Sequence, residues 1–236
     1  MAYTRHQLKQ DKFAETVAEQ VSWAVQHQKT LSTVAIVTVV VVAILAGGWI
    51  YYNQRDQAAA VDLGVAMRTY TALLQPANAP QTGTAPSYAT AKERAEAARS
   101  AFQHVEDKYP HTRAAEVSRY FVGVSSLDMG DTASAERVLN KVAGSHDREL
   151  SALGKFALAS TYRAETKDSE AIKLYQDLMA NPTTTVPKTT AELELASLYQ
   201  QKQPDEATKL YQQIQKEEPG SPAAQAASQR LASLKP

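Results

Sequence analysis

Five histidines and 25 carboxylates are the side chains of this chain that could hold a metal or move a proton. A metal site needs several of them converging, which on a helix means spacings of three or four residues. His6, His27, His104, His111 and His146 show no such spacing, and Pro110 separates the two that lie nearest each other. Glu192 and Glu194, like Glu217 and Glu218, would point to different faces of a helix and read as solvated side chains. Neither H-E-x-x-H, G-x-S-x-G, a Walker loop nor G-x-G-x-x-G occurs. Cysteine is absent, which removes thiolate ligands, disulfides, a cysteine nucleophile and a lipid-modified cysteine, while leaving the redox compartment open. The expectation is a protein without catalytic residues, metal, cofactor or small-molecule substrate. The 25 basic residues balance the acidic ones, so no net field draws nucleic acid.

What remains is the chemistry of apolar recognition. Tyr120, Phe121, Val124 and Leu127, then Leu153, Phe156 and Arg163, then Leu193, Ser197 and Gln201 recur on helical spacings. Taken singly, each also fits a core position. As a set they describe an apolar, aromatic surface suited to extended or partly unfolded polypeptide.

The elements that would carry these residues are helices. Ala, Gln, Glu, Lys and Leu are plentiful, and unbranched side chains lose little rotamer freedom in a helix. A small residue followed four later by a large apolar one occurs at Ala98/Phe102, Ala135/Leu139, Ala171/Tyr175 and Ala207/Tyr211. The alanines stand 37, 36 and 36 residues apart. Pro110 and Pro219 each follow the large residue of their pair by eight, and Gly123 and Ala159 precede the alanine by twelve. Small residues let paired helices approach, large ones fill the space between pairs, and proline ends the second helix. The first pair is interrupted: its first helix falls at about 58–74, before the proline-rich stretch PANAPQTGTAPS. GSPAAQAASQRLASLKP closes the chain as a capping helix.

From Leu31 to Tyr52 the chain reads LSTVAIVTVVVVAILAGGWIYY without a charge. At about 1.5 Å per residue it reaches roughly 33 Å, enough for a hydrocarbon core of about 30 Å. Trp49, Tyr51 and Tyr52 stand at one end, where amphipathic rings prefer the interface and act as anchors. The run is longer than the apolar core of a cleaved signal peptide, about 7 to 15 residues, and the expectation is a retained single span. Arg5, Lys9, Lys12 and Lys29 precede it, against Arg55 and Arg68 after it, which favours a cytoplasmic N-terminus. In the preceding tail, Phe13, Val17, Val21 and Ala24 form one apolar stripe, which would lie on the membrane surface, bind a partner or simply extend the span.

The fold class expected is therefore all-α: a single N-terminal transmembrane helix followed by an α-solenoid. The divisions are a cytoplasmic amphipathic tail at 1–30, the span at 31–52, a first helix and proline-rich loop at 53–87, and repeats with a capping helix at 88–236. The A-x-x-x-F/Y core, the early small residue and the closing proline resemble the tetratricopeptide repeat. The period is slightly long and the early Trp is missing. The Lys and Asn arrangement with which some tetratricopeptide domains clamp a C-terminal carboxylate is not present.

The span with its aromatic edge (Trp49 to Tyr52), the Ala98-to-Phe102 and Tyr109-Pro110 unit, and the Ala-rich repeats ending in Leu231 and Leu234 resemble the periplasmic ancillary subunits of the bacterial SecYEG translocon. The resemblance implies a bitopic inner-membrane protein whose C-terminal domain is periplasmic, and whose partners are the translocon, exported polypeptides or chaperones. The longer tail and the proline-rich insertion depart from that pattern. An envelope assembly or division scaffold is the other reading, as is a cytoplasm-facing adaptor if the orientation is reversed.

Overall fold

The structure is a computed structural model that describes residues 28–75 and 86–234. The apolar stripe of the tail and most of the proline-rich stretch lie outside the described residues. Two compact units divide between Gln54 and Arg55.

In the first unit, α1 begins (Gln28–Tyr70). It is the one helix among the described residues long and apolar enough to cross a membrane. Its apolar side chains are exposed on every side, from Val39 at 67% through Ile44 at 68% to Trp49 at 71%. Tyr51 and Tyr52 meet edge to face with ring centres 5.8 Å apart. No break interrupts the helix at the residues following the apolar run, because 53–57 contain no Gly or Pro.

In the second unit, helices follow one another as antiparallel neighbours. After the last turns of α1 come two short strands, β1 (Leu73–Leu74) and β2 (Ser87–Tyr88), paired in parallel. Then follow α2 (Ala91–Lys108), α3 (Arg113–Asp128), α4 (Thr132–Ala143), α5 (Arg148–Ala164), α6 (Asp168–Ala180), α7 (Lys188–Lys202), α8 (Pro204–Glu217) and α9 (Pro222–Leu234). The first helix of the first pair therefore ends at Tyr70, short of the expected 74, and the chain leaves it through a ladder rather than a plain loop.

The starts of these helices are written locally. Thr90 and Glu93 make a reciprocal capping box, Glu93 N–H donating to Thr90 Oγ1 at 3.1 Å and Thr90 N–H to Glu93 Oε2 at 3.3 Å. Thr112, Asp131 and Asp147 accept from the N–H groups of Ala115, Ser134 and Leu150. Pro204 opens α8, where no N–H is needed.

All four small/large pairs are buried: Ala98, Ala135, Ala171, Ala207, Phe102, Leu139, Tyr175 and Tyr211 are each 0% exposed. Gly123 permits the closest approach of α3 to α4, since an added Cβ would stand 2.6 Å from Leu139 Cδ2. Gly154 does the same for α5, whose added Cβ would stand 2.6 Å from the Ala143 backbone nitrogen. The turns also repeat in phase: Gly130 and Thr166, 36 apart, both have positive φ, at 80° and 59°. Neighbouring repeats are further tied by polar links, among them Arg113 with Asp147, Lys202 with Asp168, and Arg148 Nη2 donating to the Pro182 carbonyl at 3.0 Å. Each tie reaches only the adjacent pair, as a stacked array requires.

Candidate partner-binding groove

The helices of the second unit form two layers: first helices (the end of α1, then α3, α5, α7 and α9) and second helices (α2, α4, α6 and α8). Within the first layer α3 packs on α5 and α7 on α9, while no comparable packing joins one second helix to the next. First helices thus pack from pair to pair at α3 on α5 and at α7 on α9, though not to the same extent between α5 and α7.

Tyr120, Val124 and Leu127 are half-buried on α3 and pack against the buried Ala135, Leu139, Ala157 and Leu158. They line one face because they recur at four and three residues. Phe121 lies deeper in function if not in exposure: its ring stacks on buried Phe102 with centres 4.8 Å apart, and Tyr70 lies 5.3 Å away. Phe156 is half-buried on α5, its ring edge-on to Tyr175 at 5.9 Å. Arg163, at the end of α5, is ion-paired with Glu194 of α7, each side chain about 30% exposed. Leu153, Leu193 and Ser197 are half-buried and Gln201 is exposed. The structure thus brings Tyr120, Val124 and Leu127 together with α5, links Arg163 across to α7, and uses Phe121 as the floor beneath Tyr70 and Tyr120.

The electrostatics of this face centre on one carboxylate. Asp128 is exposed at the end of α3, yet partial burial pushes its carboxyl above the ordinary range, with Arg94 first and then the Tyr70 hydroxyl drawing it part of the way back. Burial likewise pushes the Tyr120 hydroxyl up, assisted by Tyr70 and Asp128.

Two carboxylates correct the reading of solvated side chains. Glu192 is 0% exposed, with Lys188 at 3.1 Å and Gln213 donating to its Oε1 at 3.2 Å. Burial pushes its carboxyl up, against the opposing pull of Lys188. Glu194 is the half-buried partner of Arg163. Neither was recognisable from its immediate neighbours, because Gln213 and Arg163 come from other helices. Tyr70 and Asp128 escaped attention for the same reason, although Asp128 continues the Tyr120 and Val124 spacing of four. Among the described residues, no three His, Asp or Glu side chains cluster as a metal site would.

The sequence matches the family described as tetratricopeptide repeat-like domain over residues 22–184, and a tetratricopeptide repeat over residues 190–221. No curated protein and no solved structure gave a significant match. Since the first match spans more than half of the chain and the helices stack pair upon pair, the chain belongs to the tetratricopeptide repeat-like domain family.

Proposed function

We propose that this protein is a membrane-anchored protein-interaction module, an ancillary subunit of the translocon or a chaperone-like factor that meets exported polypeptides. Its family is one of interaction modules, which supports the general class. The observation that carries the reading is the half-buried apolar strip along the first-helix layer, where Tyr120, Val124, Leu127 and Phe156 keep part of their surface available. Phe121 supports that strip from below, and Arg163 with Glu194 adds a polar end. The segment 31–52 would cross the bacterial inner membrane once, with Trp49, Tyr51 and Tyr52 at one interface, the N-terminus inside and the array in the periplasm.

A photoreactive phenylalanine analogue placed at Phe156, and separately at the exposed Lys173, tests the groove in native membranes. Translocon subunits or exported chains should be captured from position 156 and not from 173; equal capture would remove the groove from the account. A reporter active only outside the cytoplasm, fused after Pro236, should be active, and activity of a cytoplasm-only reporter would reverse the orientation.

The scaffold reading draws on the ties between successive pairs, such as Arg113 with Asp147 and Lys202 with Asp168, which would hold the array in one shape for a fixed complex. Stable co-purification of one stoichiometric partner, without capture of exported chains, would favour it.

A further inference from the structure

In the array each later first helix is covered by the second helix of the pair before it: α2 lies on α3, α4 on α5, α6 on α7 and α8 on α9. At the far end α9 closes the stack, burying Ala227 against Ala196, Ala207 and Tyr211. Among the described residues no second helix stands before α1. Beyond Gln54 the exposed large apolar side chains among the described residues gather at this same end: Val61 at 67% and Val65 at 45% on α1, then Leu73 and Leu74 in β1. Ala58, also exposed, precedes Val61 by three residues, and Val65 follows it by four, so the three share one face of the helix. Beside that face α1 and α2 border a cleft of about 580 Å³, whose apolar lining is Val65, Ala66, Ala97, Ala101 and Val105. Ser100 and His104 also border it and are exposed to water. Asp62 and Lys108 at its rim are paired with each other at 3.0 Å, and Asp62 accepts from the Tyr109 hydroxyl at 2.8 Å. The charges at the rim are therefore compensated within the chain, and what this end lacks is an apolar partner.

We propose that a second copy of the chain docks here, the two α1 helices lying parallel along Ala58, Val61 and Val65 and closing a four-helix bundle with the two α2 helices. The proposal rests on the reading of 31–52 as a membrane span. The partner is a helix because the array covers each later first helix with a helix. It is a second copy because the bare face is at once a surface to be covered and a helix able to cover it, as a two-fold interface requires. Copies anchored by the same span carry Ala58 six residues after Tyr52 on the same side of one bilayer, so identical faces meet at one height and in one direction. Confinement to the bilayer raises the effective concentration of each copy for the other, and a short apolar seam then suffices where it would not hold two free proteins.

The chain has no cysteine, so single introduced cysteines report without interference. Ala58→Cys, Val61→Cys and, on another face of the same helix, Ala60→Cys are produced as full-length protein at low level; native membranes are washed with carbonate and treated with a mild oxidant. Disulfide-linked dimers should form from positions 58 and 61 with about tenfold or more the yield from position 60. Adding Val65→Arg to Val61→Cys should lower that yield about tenfold while the melting of the array is unchanged, and adding Val65→Ile should preserve it. Equal yields from 60 and 61, or no dimer from any position in washed membranes, overturn the seam while the span stands. A mixed disulfide with a different protein in place of the dimer also overturns it. Release of the protein by carbonate removes the anchor and the seam with it. Should Val65→Arg fail to fold, the comparison of the three single cysteines, all at exposed positions, still decides.

Discussion

Residues 32–52 and 55–70 belong to one helix by hydrogen bonding, yet they are built for different surroundings. In 32–52 apolar side chains occupy every face and none of the described ones is buried. In 55–70 a single stripe is covered: Ala59 and Ala66 are 0% and 1% exposed, with Leu63, Met67 and Tyr70 packed beside them against α2. The opposite side of that stretch carries Gln57 and Arg68. Propensity does not separate the two, since both are helical. What separates them is whether the described residues supply the apolar partner: the array does so for 55–70 and none does so for 32–52, the pattern expected of the proposed span.

The largest break in this comparison comes from charge in the first stretch. Val41→Arg with Ile44→Arg should cost about 2.5 to 3.5 kcal/mol each at the centre of a span, so the protein should fail to fractionate with carbonate-washed membranes. The same pair should leave the melting of the array unchanged. Retention in the membrane, or a collapsed array, would show that the two stretches do not answer to different solvents.

The converse break lies in the array, where packing rather than polarity is exposed to damage. Gly154→Ala should lower stability by about 1 to 3 kcal/mol, because the methyl would meet the α4 backbone, which cannot turn aside. Gly123→Ala should cost less, its obstacle being the movable end of Leu139. Ala171→Leu should cost about 1 to 3 kcal/mol and Lys173→Ala within about 0.5 kcal/mol, read from thermal melts. Membrane fractionation should be indifferent to all four.

A smaller effect sharpens the picture of what the array tolerates inside. With its carboxyl held above the ordinary range by burial, Glu192 binds its proton more tightly in the folded array than in the unfolded chain. The stability it contributes when protonated is lost as pH rises through that raised value. Glu217 runs the other way: Lys188 first, then Gln213, hold it low, so its contribution is lost as pH falls. The difference between Glu192→Gln and the unaltered protein isolates the buried group, and the variant should gain relative stability as pH rises. A difference independent of pH would mean that Glu192 is not the titrating residue.

The smallest effect belongs to a turn. Thr166 holds positive φ where the preceding repeat has Gly130. A non-glycine residue there costs about 1 to 2 kcal/mol, and glycine's extra unfolded-state freedom offsets roughly 0.5 to 1 of it. Thr166→Gly should therefore raise stability by about 0.5 kcal/mol and Gly130→Thr lower it, by melts of the two variants side by side.

The repeat phase was legible because its signal is local and recurrent: a small residue and a large one four apart, four times over, with both buried each time. The apolar run was legible because it needs no partner within the chain to be recognised. The β1 and β2 ladder was not, since two-residue strands carry no periodicity and their pairing spans the proline-rich stretch. Gly154 was missed because its constraint comes from the backbone of α4, and Glu192 because Gln213, which bonds it, comes from α8, while Lys188 one turn before it reads as an ordinary surface pair. Thr166 could have been found: it stands 36 residues after Gly130, in step with the repeat. Of the groove, the spacing on α3 and α5 was readable, whereas the role of Phe121 as a floor depended on Phe102 from α2.

The central claim is that the first-helix layer binds extended polypeptide through its half-buried apolar strip. It is tested most directly by titrating a labelled, permanently unfolded polypeptide into the full-length protein in nanodiscs and comparing the Tyr120→Ser, Phe156→Ser double variant with the unaltered chain. The account predicts micromolar binding, about −8 kcal/mol, that weakens about tenfold or more in the double variant while helicity is kept and the melt falls by only a few degrees. Binding of undiminished strength in a folded double variant would contradict it.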